Sequence, residues 1–93
     1  MVEIRLIDYS NTITDPSIAE TILRDIRDAL GKQDSISVVF TGVDIMTTSC
    51  AKQIFGQLYL ELGPEVFYQR MQLKDVDEDL RIIIKNAIQS AIT

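Results

Sequence analysis

The sequence predicts an α/β domain, with a small mixed, partly parallel sheet of three to four strands packed by three main helices in the order β-α-β-α-β-α. Apolar residues alternate with polar ones in 2–8 and 67–73, the period of a half-buried strand, and recur at helical spacing in 16–30, 50–62 and from Leu80 to Ile92. Strand and helix in strict alternation call for right-handed crossovers and a sheet that is at least partly parallel.

Val2, Ile4 and Leu6 alternate with Glu3, Arg5 and Ile7, so residues 2–8 read as an edge strand, and Tyr9-Ser10-Asn11-Thr12 reads as a turn. Asp15-Pro16 opens a helix, with Ser17 and Glu20 as a competing capping box. Ile18, Ile22, Ile26 and Leu30 form its apolar stripe, and Gly31 is expected to end it. Residues 35–40 are short and β-branched, which suits a central strand buried on both faces at its end. Residues 41–49 then lead into a helix from about Cys50 to Leu62, whose inward face is Ala51, Ile54, Phe55, Leu58 and Leu62 and which Gly63-Pro64 stops. Tyr59 and Leu60 lie outside that stripe, as a broader core contact or as a binding patch. Phe67, Gln69, Met71 and Leu73 predict an edge strand over 67–73. Asp75, Asp77, Glu78 and Asp79 precede a last helix with its stripe at Leu80, Ile83, Ile84, Ala87, Ile88, Ala91 and Ile92.

Ninety-three residues, 46% of them hydrophobic, are expected to form a single domain over 1–93 with little room for a deep substrate cavity. Nine basic against fourteen acidic residues leave a net charge of −5, and the basic ones are scattered, which argues against nucleic acid as a partner. One cysteine, Cys50, rules out an internal disulfide, and with no histidine no zinc set is expected. The alternating start offers no secretory signal and the apolar runs are far too short to span a membrane, so the expected location is the cytoplasm.

The residue types speak against an enzyme. Without histidine the commonest general base is missing, so a catalytic thiolate at Cys50 lacks its usual partner, and the packing role of a small buried residue is favoured. The acidic residues Asp44, Asp75, Asp77, Glu78 and Asp79 match no calcium-loop spacing and are read as caps and solvated charge; no metal and no cofactor is expected. Gly42 alone makes no nucleotide fingerprint, although amides ahead of Cys50 leave a small-molecule sensor for a nucleotide or other anion as the alternative function. Thr47-Thr48-Ser49 is the most informative cluster: three hydroxyls where a strand hands over to a helix can cap that helix, and a phosphoryl group there would add about −1.5 to −2 charges.

Residues 37–55, Ser-Val-Val-Phe-Thr-Gly-Val-Asp-Ile-Met-Thr-Thr-Ser-Cys-Ala-Lys-Gln-Ile-Phe, resemble the centre of STAS domains, the family of sulfate-transporter and anti-sigma-factor-antagonist modules. With Gln53-Ile-Phe-Gly-Gln-Leu58 the chain looks like the small bacterial STAS-like domains of unassigned function. The resemblance implies a STAS-like fold and a partner-switching module that docks residues 43–58 on a kinase-like anti-sigma factor or another ATPase of that fold. It places the phosphorylatable serine of the antagonists at Ser49, with Thr48 as the neighbouring hydroxyl; the family's flanking Asp and Gly are Thr47 and Cys50 here. The expected function is therefore non-enzymatic protein binding through a surface of Asp44, Met46, Thr47, Thr48, Ser49 and Lys52. The edge strands 2–8 and 67–73 add a route to a homodimer.

Overall fold

A computed structural model describes residues 2–93. Three strands, β1 (Val2–Arg5), β3 (Ile36–Val39) and β5 (Met71–Lys74), form a sheet in the order β1-β3-β5, and both pairings are parallel. A second pair, β2 (Thr12–Ile13) with β4 (Ile45–Met46), is also parallel. The sheets are thus wholly parallel. Around them lie α1 (Pro16–Lys32), α2 (Thr48–Ala51), a π-helical turn (Lys52–Gly56), α3 (Gln57–Leu62), α4 (Pro64–Arg70) and α5 (Glu78–Ile92).

The register sorts the sheet into two unlike faces. Val2, Ile36 and Met71 share one row and Ile4, Val38 and Leu73 another, and this apolar side meets the helices. The opposite rows are Glu3, Ser37 and Gln72, then Arg5, Val39 and Lys74, in which all four edge residues are exposed. The central strand is buried on both faces over Ile36, Ser37 and Val38, as expected, and only Val39 is half-buried. Right-handed crossovers, the rule between parallel strands, step the same way across this sheet and put their helices on one side, so the edge-strand residues of the outer face stay exposed and polar.

Asp15 caps α1 by accepting from the Ser17 amide at 2.8 Å, with Pro16 at the first position, as its residue type dictates. Gly31 does not end the helix; it lies in the last turn, and Gln33 caps it. The expected strand over 67–73 is α4 followed by the shorter β5. Gly63, at φ 83°, ends α3, and Pro64 starts the next helix at once. Phe67 and Met71 are four residues apart, a spacing that suits a strand face and a helix face alike, and both are buried. The Arg70 guanidinium then donates to the Asp34 and Gln33 carbonyls, at 2.9 Å each, which fixes α4 against the turn after α1.

Residues 48–62 run as one continuous helical rod through the core, with Cys50, Ala51, Ile54, Phe55, Gly56 and Leu58 buried. Phe40 and Phe55 pack at a centroid distance of 5.8 Å beneath it. At Gly56 a Cβ would lie 3.1 Å from the Ala91 Cβ and 3.3 Å from the Ala87 carbonyl oxygen, so glycine permits α5 to press on the rod. Asp77 caps α5 through the Leu80 amide at 2.8 Å, and Leu80, Ile84, Ala87 and Ile88 supply its buried stripe, whereas Ile92 is exposed.

The chain after β1 makes a 3-10 turn (Leu6–Asp8), and the Tyr9 hydroxyl donates to Asp25 Oδ2 on α1 at 2.6 Å. Burial first, and then this hydrogen bond, push the Tyr9 phenol above its ordinary range. The folded state therefore favours the protonated phenol. Its contribution is complete below the free value of about 10 and fades as pH rises beyond it. Tyr9→Phe is expected to cost about 1 kcal/mol at neutral pH. In urea titrations the gap between wild type and variant should narrow above pH 10, and a gap that is constant to higher pH would contradict the assignment.

Candidate functional site

The corner that carries the hydroxyl cluster is built by a turn, a two-rung ladder and a cap. Phe40 leaves β3 with its amide on the Lys74 carbonyl at 2.9 Å, and Val43 turns back onto the Phe40 carbonyl at 2.9 Å. Gly42 sits between them at φ 86°, where an added Cβ would also lie 3.1 Å from Ile7. The amides of Asp44 and Thr47 then bond to the Asn11 and Ile13 carbonyls at 2.8 and 3.1 Å, so the β2 segment holds the loop from both ends of β4. Asn11 Nδ2 also donates to Asp44 Oδ2 at 3.3 Å.

Thr47 is the cap. Its Oγ1 accepts from the Cys50 amide at 3.2 Å, and Ser49 Oγ lies 3.4 Å from it. That single assignment leaves Thr48 and Ser49 in the first turn with exposed side chains, beside exposed Asp44 and Lys52 and half-buried Thr47. Met46 departs from its expected place on the surface: it is 1% exposed, because in the β4 ladder alternate residues face opposite ways and Met46, paired with buried Ile13, faces the core. Its neighbour Ile45 takes the outward place at 54% exposure.

Sequence reasoning also missed what the far end of the chain brings to this corner. The start of α5 lies against β4 and closes a groove of about 460 Å³ lined by Asp44, Ile45, Asp77, Asp79 and Ile82 among others. Ile82 is 49% exposed on that side. Two outward isoleucines with carboxylates around them form the apolar part of the corner, and the only sequence signal was an isoleucine on the solvent side of the last helix's stripe. Tyr59 is half-buried against the core, packed on Phe67 at a centroid distance of 5.4 Å, while Leu60 is exposed.

The rival chemistries find less to work with. The Cys50 thiol is 1% exposed, its amide is occupied by Thr47, and α2 itself is only four residues long before the π turn. No group of three or more acidic or sulfur ligands stands at metal-binding distance among the described residues, and no helix among them is long and apolar enough to cross a membrane.

A family model described as a STAS-like domain of unknown function (DUF4325) matches residues 19–81. The chain belongs to this STAS-like family. The match takes in most of α1, the central strand, Asp44, Ile45 and the hydroxyls of residues 47–49, and the first residues of α5, while β2 and Ile82 lie outside it. No curated protein and no solved structure matches the chain.

Thr47→Ala is expected to destabilise the STAS-like domain by about 1 kcal/mol in denaturant titrations through loss of the cap. Thr48→Ala should stay within about 0.5 kcal/mol; the reverse order would move the cap to Thr48. Iodoacetamide should modify Cys50 slowly at neutral pH and rapidly only in urea. Fast modification of the native protein would show an accessible thiol.

Proposed function

We propose that this STAS-like domain is a non-enzymatic, cytoplasmic regulatory module that binds another protein through the corner formed by Asp44, Ile45, Thr47, Thr48, Ser49 and Lys52, with Ile82 beside it. The observation that carries the reading is the division of labour among three adjacent hydroxyls: Thr47 serves the fold, and Thr48 and Ser49 are left facing solvent. The outward pair Ile45 and Ile82 adds what binding needs and a bare hydroxyl cluster lacks, namely apolar area to remove from water. The family membership and the place of Ser49 in the motif favour partner switching with a kinase-like ATPase or anti-sigma factor.

Phosphorylation of Ser49 is the proposed switch. A phosphoryl group there would bring about −1.5 to −2 charges to a corner that already carries Asp44, and burying it against the partner would cost desolvation. Added charge at Ser49 would repel a partner whose facing surface is acidic, which is what makes the corner a switch. Lys52 stands on the first exposed turn of the rod and gives such a partner one carboxylate contact.

Calorimetric titration of a kinase-like ATPase with wild type, Ser49→Ala and Ser49→Asp checks the reading. Ser49→Ala keeps the Thr47 cap and should bind within about threefold of wild type, while Ser49→Asp should bind at least tenfold more weakly, about 1.4 kcal/mol. Equal affinities for all three would remove the switch. Undiminished binding by an Ile45→Ser, Ile82→Ser double variant would remove the corner as the contact.

A further inference from the structure

A second concavity lies away from the hydroxyl corner, between α4, β5 and α5. Its floor is apolar: Phe67, Ile84 and Ile88 are 0%, 5% and 8% exposed, and half-buried Leu73 and Val76 form one side. The exposed Tyr68 ring forms the other, set edge-on to Phe67 at a centroid distance of 5.0 Å and to Tyr59 at 6.3 Å. These aromatic contacts hold the wall in place without an occupant. The slot is therefore preformed.

Its rim is cationic in a chain whose net charge is −5. Arg81 and Lys85 line the slot and are exposed, and neither side chain makes an ion pair or a hydrogen bond among the described residues. Asp77 and Glu78 stand one helical turn before Arg81 and still form no ion pair with it. Cations four apart on a helix face repel each other, and an anion placed between them would relieve that repulsion. The slot measures about 280 Å³, near the lower limit of about 300 Å³ typical of small-molecule sites. It suits a short acyl chain or one aromatic ring better than a peptide.

We propose that this slot binds a small amphipathic anion, its apolar body against Phe67, Ile84 and Ile88 and its carboxylate between Arg81 and Lys85. The site is independent of the protein-binding corner and stands whether or not Ser49 is a switch.

Titration of the isotope-labelled protein with octanoate below its micelle-forming concentration, followed by amide chemical shifts, tests the site. Octan-1-ol and octylammonium serve as neutral and cationic controls of the same chain length. Octanoate should give saturable shifts centred on Tyr68, Leu73, Val76 and Ile84, with an affinity at least tenfold above that of octylammonium. An Arg81→Gln, Lys85→Gln double variant should bring octanoate down to the affinity of octan-1-ol and leave octan-1-ol unchanged, which separates loss of the anion contact from loss of the fold. Arg81→Lys should retain the preference. Shifts that never saturate, shifts centred on residues 44–52, or equal binding of octanoate and octylammonium would each overturn the proposal.

Discussion

The close approach of α5 to the rod of residues 48–62 is the contact on which the architecture turns. With no Cβ at Gly56, the backbone of one helix lies against Ala87 and Ala91 of the other, and the buried faces of both helices can close over the sheet together. The π-helical turn falls on this stretch, Lys52–Gly56, and widens the rod where α1 and α5 both bear on it. Ile54 and Phe55, at 0% exposure, fill the space so formed. A sheet of three short strands cannot bury enough by itself, so the helix pair supplies the rest of the core.

The same rod delivers the functional corner. Its first turn is anchored at one end by the Thr47 cap and at the other by packed aliphatic side chains, so Thr48 and Ser49 project from a rigid element although they follow a loop. The loop is itself held by backbone bonds to Asn11 and Ile13, and its turn by Thr41 Oγ1, which donates to Asp75 Oδ2 at 2.5 Å while Asp75 occupies a left-handed φ of 56°. On the far side of the rod Arg27 of α1 pairs with Glu61, holding the carboxylate of Glu61 below its usual range chiefly through that hydrogen bond. Being largely exposed, this pair aligns the helices more than it stabilises them.

What the sequence revealed and what it hid follow from the range of each interaction. The helix start at Asp15-Pro16 was legible because a cap acts on an amide two residues away, and the start of α5 was marked by its group of acids, among which the geometry picks Asp77 as the cap. The hydroxyl corner was legible for the same reason, but three neighbouring hydroxyls compete for one amide, and only geometry names Thr47 as the winner. The β2–β4 ladder has two rungs, too few for any periodicity to register. The strand expected at 67–73 failed because Phe67 and Met71 fit both periods, and Pro64, a helix starter as well as a helix breaker, decides between them. Met46, expected outside, faces the core and Ile45 takes the outward place through the register of that same short ladder. The contribution of Asp79 and Ile82 to the corner depends on where α5 lands, which no local pattern encodes.

The wet outer side of the main sheet carries a consequence for how the chain tolerates change. Water already reaches Glu3, Arg5, Gln72 and Lys74, so exchanging one polar group for another there alters neither packing nor desolvation, while the charged groups discourage a second sheet from stacking on the first. Drift is thereby confined to one flank of the molecule. The helical flank, where a single methyl at Gly56 would press on Ala91 at 3.1 Å and oblige α5 to give way, has less latitude.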